Sequence, residues 1–534
     1  DPAHHQGRPA DRKWPEFRGD AMRQTKRISP ARARALRARR QRRGVALIIV
    51  LAALTVLTVM LTEIQDESSA EFGSALAARD ALVAEYAAKS AVNLSRLLIA
   101  AEPTIRRSLG LVFALVGGPR QVPVWQYADR ILGAFNDSDG AQSFASLAGV
   151  DPKLGKNLGL KGAGFELQII DEDSKINFNV AARGDAFSQT RLAAQIIGLI
   201  GSPQFSPMFE GRDGDDQYTD RRAVCQAIID WVDPDQDQAT CDPTNNTASQ
   251  AAAEDSFYQL LKKPYQRKNA AFDSLEELHR VRGISDDFWS TFVDPDPDNP
   301  DKRIVTVWGQ GAVNVNTANP QTLLALVCQA SNNLARMCTD ANEAQKFIMA
   351  LTMLRSFLPG LPMFKNAQEF VSALQQTNQP AAPGATAAPA AGASPLAALG
   401  GGSGGSPIAA IMKALGIEPI PLVSAAETTK AVTTESKVFS IYATGYVRSG
   451  KRESSVRIHA VVDFRGAPTP QDLISQLLAN AGQGPAQGTG GGAATATTPN
   501  GQNAANLPPG ATQGSILSAL KPGPGGNVVY YRVD

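Results

Sequence analysis

Seven carboxylates crowd one stretch of this 534-residue chain: Asp230, Asp233, Asp235, Asp237 and Asp242, then Glu254 and Asp255. Acids packed into one loop repel each other unless a hard cation neutralises them, and calcium gathers about six to eight oxygens. Asp233, Asp235 and Asp237 alternate as at the start of an EF-hand loop. The rest of that loop fails, because Gln238 stands where its turn glycine belongs and Thr244 where its closing Glu belongs. The segment is therefore a cation site of another design or a solvated acidic loop. A second alternation, Asp294, Asp296 and Asp298, is interleaved with proline and reads first as a rigid exposed turn.

Other chemistry-bearing residues are sparse. The four histidines are His4, His5, His279 and His459, and none has a Ser or Cys partner in a recognisable nucleophile motif. No phosphate-binding glycine loop is present. The reading is therefore not an enzyme. His279 is assigned to a charged helix face and His459 to the polar face of a strand. The cysteines, Cys225, Cys241, Cys328 and Cys338, form no CxxC pair, which weakens zinc and thioredoxin-like readings. They allow three disulfide pairings, of which sequence proximity favours Cys225–Cys241 and Cys328–Cys338. Export to an oxidising compartment would make disulfides natural; four buried free thiols are the alternative.

The elements that carry these residues begin with a membrane segment. From Arg23 to Arg43 every charged residue is Lys or Arg, although the whole chain has a net charge of only +1. Val45–Leu61 is uncharged and apolar, at the short end of what spans a bilayer. The basic flank marks the cytoplasmic side. Thr55, Thr58 and Thr62 can return their hydroxyls to the backbone. Apolar residues then recur at helical spacing (Phe72, Leu76, Val83, Tyr86, Leu94, Leu97), so one helix is predicted from the membrane to about Ala101, before Pro103. Residues 1–21 show no periodicity, and the natural start is read at Met22. The basic leader as a whole is read as disordered.

The junction Arg39-Arg40-Gln41-Arg42-Arg43-Gly44 followed by Val45-Ala46-Leu47 resembles the type III leader of prepilins. That resemblance implies cleavage after Gly44 by a prepilin peptidase and methylation of Val45. It also implies a fifth mature position at Ile49, where most pilins and pseudopilins carry Glu. The K subunit, the large minor pseudopilin of type II secretion, typically lacks that Glu. A buried carboxylate in lipid is costly without a cation beside it. A subunit with no neighbour above has no such cation, so Ile49 points to a filament tip.

Further on, Phe165–Ile169 alternates as a strand, followed by a turn at Asp171–Ser174 and a second strand at Lys175–Val180, so a hairpin is predicted. A clearer hairpin joins Val438–Val447 to Ser455–Phe464 across Ser449-Gly450, with Val456, Ile458, Ala460, Val462 and Phe464 on one face. Between them five segments read as helices: Arg191–Ile200, Arg221–Trp231, Ser274–Arg282, Pro320–Gln329 and Asn342–Phe357. An insertion of that size must fold as its own unit. The stretches Asp171–Asn179, Ile229–Asp235, Glu254–Tyr258 and Val313–Ala318 also resemble the K subunit. Ser174 and Ala252-Ala253 depart from it, where the family has Gly and Gly-Ala.

The resulting fold class is α+β: a pilin-like fold, with a long N-terminal helix packed on an antiparallel sheet, carrying a large inserted, mainly helical domain. The organisation is a removed leader (1–44), a transmembrane segment (45–61) and the outer half of the helix (62–102). The first part of the pilin-like domain (103–184) precedes the inserted domain (185–375). A flexible low-complexity linker (376–436), the second hairpin (437–466) and a low-complexity tail (467–534) complete it. Val528–Val533 are a candidate edge strand.

The resemblance further implies calcium in the inserted domain, with Asp233, Asp235, Asp237, Glu254 and Asp255 as ligands. It implies the I and J minor pseudopilins, the prepilin peptidase and the inner membrane as partners, with the folded domain in the periplasm. The rival is a membrane-anchored DNA-binding protein, because Phe272–Ile284 and Val313–Ala318 look like helix-hairpin-helix units. Asp286 and Asp287 beside the Gly283 turn oppose phosphate binding, so those units read as packing scaffold with no nucleic acid.

Overall fold

The structure, a computed structural model, describes residues 30–116, 123–133, 135–136, 162–210, 218–241, 256–357, 362–376, 407–450, 452–468 and 525–534. They fall into two compact units, Asp1–Ala78 and Arg79–Asp534.

In the first unit every described residue is helical, part of helix α1 (Pro30–Val116). The helix starts inside the basic leader that the sequence suggests is disordered. Pro30 suits a first helical turn, and the Ala and Arg that follow are strong helix formers. From Val45 onward it is long and apolar enough to cross a membrane. Its large apolar side chains from Val45 to Phe72 are exposed, and Thr55, Thr58 and Thr62 donate to Ala52, Leu54 and Val59 carbonyls at 2.8, 2.9 and 2.8 Å. This self-satisfaction lets threonine sit in lipid. The helix also passes Pro103 and ends at Val116, beyond the predicted end.

In the second unit, α1 buries one face against an antiparallel sheet. The strands are β1 (Ala163–Asp171), β2 (Val438–Ser449), β3 (Arg452–Asp463) and β4 (Asn527–Val533), in the order β1-β2-β3-β4. Ala88, Ala91, Val92 and Ile99 meet Phe165, Leu167, Phe439, Ile441, Ala443, Ile458, Ala460 and Val462 in one core. The second hairpin stands as predicted, and Val528–Val533 fall in the edge strand. The first predicted hairpin does not exist. β1 pairs with β2, Ala163 opposite Val447 and Asp171 opposite Phe439. Ile176–Asn177 instead pairs in parallel with Val305–Thr306. Alternation on both sides of a polar turn mimics a hairpin, but burial of Ile176 and Phe178 in another core decides the pairing.

The inserted region holds two further cores. The first packs helices α2 (Ala186–Ile200) and α3 (Arg221–Val232) with Phe272, Leu275, Leu278, Phe288 and Phe292. The second packs α4 (Pro320–Ala330) and α5 (Ala341–Phe357) with Phe364, Phe370, Met412, Ile417, Ile420 and Val432. The predicted linker is thus folded over 407–436. It carries helices Pro407–Ala414 and Ala425–Ala431, and Val432–Thr433 pairs with Val313–Asn314. Its sparse apolar residues find partners distant in sequence. The low-complexity stretches 377–406 and 469–524 lie outside the described residues.

Candidate functional site

Two polar clusters in the second unit are buried more deeply than ordinary solvated faces. The first is where β1 leaves the sheet. Asp171, Glu172, Asp173 and Lys175 are all buried. Asp171 accepts from the amide of Asp173 at 2.8 Å and from the hydroxyls of Thr317 and Ser436. Asp173 accepts from the amides of Gln310, Lys437 and Val438 at 2.8, 2.7 and 3.2 Å. One turn thereby fastens the sheet to both inserted cores. Burial, reinforced by Asp173, pushes the Asp171 carboxyl up to about 8. Burial alone would also raise Glu172, but Lys175 at 3.0 Å, with the Ser440 and Thr306 hydroxyls, holds it below the usual range. Ser174, where the family has glycine, donates its hydroxyl to the Asp171 carbonyl at 2.6 Å and has no positive φ, so glycine is not required. These residues form a lock: the surrounding hydroxyls and amides are engaged in hydrogen bonds that tie β1 to Thr306, Gln310, Thr317 and residues 436–438.

The second cluster is the acidic segment that follows α3. Asp233 is fully buried, and its Oδ1 has no hydrogen-bond partner. Its Oδ2 shares the Gln189 amide with Asp235 Oδ2, at 3.0 and 2.9 Å. Asp230 Oδ1 accepts from the Ala239 amide at 2.8 Å. Burial, and then repulsion from Asp235 and Asp230, pushes Asp233 up to about 8; burial pushes Asp230 up to about 7. Asp237 is exposed, and its amide donates to Asp235 Oδ1 at 2.9 Å. Glu254 and Asp255, like Asp242, lie outside the described residues. A disulfide between Cys225 in α3 and Cys241 closes the segment, and a second joins Cys328 to Cys338.

The structure thus brings Asp233 and Asp235 together on the Gln189 amide, with Asp230 nearby and Arg267 donating to the Asp230 and Asp235 carbonyls. Sequence reasoning missed Gln189, which lies on α2 with no local signal, and passed over Asp230 as a ligand. No ready metal cluster of three or more groups occurs among the described residues. The donors are nonetheless all hard oxygens, and one buried carboxylate oxygen is unmet, which fits calcium. Asp294 and Asp296 pair instead with Arg303 and Lys302 at 3.0 and 2.6 Å.

The remaining candidates settle elsewhere. Val45 and Ile49 are exposed on α1, and Gly44 is helical within it. Gly283, at a φ of 76°, packs its turn against Thr219 and Val224, so this side of the supposed phosphate loop faces the protein. His279 stacks on Trp289 at 3.9 Å. His459 lies on the face of β3 opposite Ile458 and Ala460, as expected, but that face is covered: His459 is half-buried and stacks on Tyr442 at 4.1 Å, with Trp308 and Tyr530 around it.

Residues 174–292, which hold the first inserted core and the acidic segment, match the family model for the type II secretion system (T2SS), protein K. This segment is similar to the K protein of type II secretion. A solved structure also aligns, a chain of the GspK-GspI-GspJ complex from the type 2 secretion system of enterotoxigenic Escherichia coli. It shares 12% identity, with a TM-score of 0.31, over 57% of this chain and 76% of that one. No curated protein matches the chain. The matched stretch begins within the buried turn at Ser174, just after the sheet strand Ala163–Asp171.

Proposed function

We propose that the protein is a minor pseudopilin of the K type, anchored in the inner membrane by α1 and standing at the tip of a type II secretion pseudopilus. There it would assist filament assembly and the export of folded proteins, with its second unit in the periplasm. The observation that carries this reading is the similarity of residues 174–292 to protein K, in a segment that follows the first strand of a helix-on-sheet frame. The apolar start of α1 and two disulfides agree with a membrane anchor and an oxidising compartment. Calcium, when bound, would supply neutralising charge to the acidic segment, held by Asp233 and Asp235 with Asp230 behind them and with Glu254 and Asp255 as further donors. Asp237 is the weakest of the proposed ligands, since its side chain is exposed.

The test is co-purification of the full chain with tagged I- and J-type minor pseudopilins. A stable three-way complex, lost when either partner is omitted from the membrane preparation, supports the proposal. A chain that binds neither, or that decorates the filament along its shaft, defeats it.

A further inference from the structure

Between α2, α4 and helix Ala425–Ala431 lies a groove of about 310 Å³ that the secretion reading does not use. Its walls are largely apolar, with Phe187, Ala194, Leu326 and Val423 among them. Phe187 and Val423 stand exposed at 56% and 70%, unusual for large apolar side chains beside a cavity. Arg191 also lines it. Its Nη2 donates to the carbonyls of Gly311 and Lys430 at 2.8 and 3.4 Å, while its Nε is buried with no partner. No carboxylate lies within ion-pair range of it among the described residues. Glu427, the acid on this rim, attracts Arg191 from a distance but pairs with Lys430 at 3.0 Å, and Arg183 adds positive charge nearby. Gln329, on the opposite helix, presents a buried Oε1 that also has no partner.

A largely buried guanidinium with no carboxylate in ion-pair range is costly, and so is an unpaired carbonyl oxygen. The two needs are complementary: one calls for an anion, the other for a donor. A peptide supplies both, with a carboxylate and an N–H set next to an apolar side chain. A fatty acid would leave Gln329 unmet. We infer that this groove binds a short peptide segment of a partner protein, in which a carboxylate meets Arg191, a backbone N–H meets Gln329 and an apolar side chain lies against Phe187 and Leu326. This inference stands independently of the secretion reading.

The probe is radiolabelled N-acetyl-leucyl-leucine, in equilibrium dialysis against the full chain in nanodiscs, with empty nanodiscs as the blank. The matched amide, N-acetyl-leucyl-leucinamide, removes only the carboxylate, and decanoate removes the peptide. Saturable binding of the acid, at least tenfold weaker for the amide and for decanoate, is the expected result. Arg191→Met should erase the difference between acid and amide. Ala194→Leu, which fills the groove while keeping Arg191, should weaken the acid at least tenfold and guards against a misfolded Arg191 variant. Equal binding of acid and amide, tighter binding of decanoate, or no saturable binding of the acid would each overturn the inference.

Discussion

At the scale of single residues, burial sets how this protein answers to pH and to cations. Burial holds His459 neutral in the fold, its pKa lowered to about 4 from an ordinary 6.5. The unfolded chain therefore takes up the proton first, and stability falls as pH drops from 6.5 toward 4. His459→Phe keeps the stack on Tyr442 but cannot titrate. Chemical denaturation should show the parent losing about 2 kcal/mol relative to this variant between pH 7 and pH 4.5, because each tenfold loss of proton affinity on folding is worth about 1.4 kcal/mol. Equal losses in the two proteins would mean that the imidazole is charged in the fold. Asp233 has the opposite sign. Its folded pKa of about 8 lies above the ordinary 3.8, so the cation-free fold loses stability as pH rises between those values. A cation at this site must displace that proton. Calcium should therefore raise the melting temperature more at pH 8.5 than at pH 6, and Asp233→Asn should abolish the calcium response. A calcium response unchanged in Asp233→Asn would place the ion elsewhere.

At the scale of elements, the decisive fit is between α1 and β2. A Cβ added at Gly445 would lie 2.0 Å from the Ala84 carbonyl oxygen and 2.6 Å from the Ala88 nitrogen. Both are backbone atoms, so the helix itself would have to shift. Gly445→Ala should cost about 1–3 kcal/mol, the range for overpacking. Gly133→Ala, at a glycine with open space around it, serves as the neutral control in the same thermal melts. If the two variants melt together, helix and sheet do not meet as closely as these residues indicate. The face of α1 that makes this contact is the alanine run Ala84, Ala87, Ala88 and Ala91, whereas Phe72, Tyr86 and Leu97 of the predicted apolar spacing are exposed; small side chains, not large ones, let helix and sheet approach. The hairpin β2–β3 was legible, because alternation and a Ser-Gly turn act over a few residues. The partner of β1 was not, since β2 lies more than 250 residues away and only the shared core selects it. The same applies to Met412, Ile417 and Ile420, which look like a sparse linker until α5 and Phe370 bury them. In the acidic segment the carboxylates were legible as a cluster, but their burial and the amide of Gln189 come from α2, which no local pattern ties to them.

At the scale of the whole molecule, the proposed tip position makes two demands on the start of α1. The leader must be removable after Gly44, and the fifth residue beyond the cut must be comfortable in lipid without a cation from a neighbour. Ile49 meets the second demand. Placing Glu there would bury a carboxylate whose cost at a helix centre is about 2.5–3.5 kcal/mol on insertion scales. On the proposed reading, the amino end of a preceding subunit would offset that cost in the shaft, and a tip subunit would have no such offset. Ile49→Glu should therefore reduce the recovery of the chain in complex with I- and J-type partners from membranes, while Ile49→Leu should not. Gly44→Ala should leave the leader attached, and intact-mass measurement of membrane fractions would show it. The two variants separate the demands, because Ile49→Glu should still be processed and Gly44→Ala should still insert. If Ile49→Glu assembled as well as the parent, a cation would have to reach that depth of the membrane. The chain would then have a neighbour above it, and the tip position would be lost.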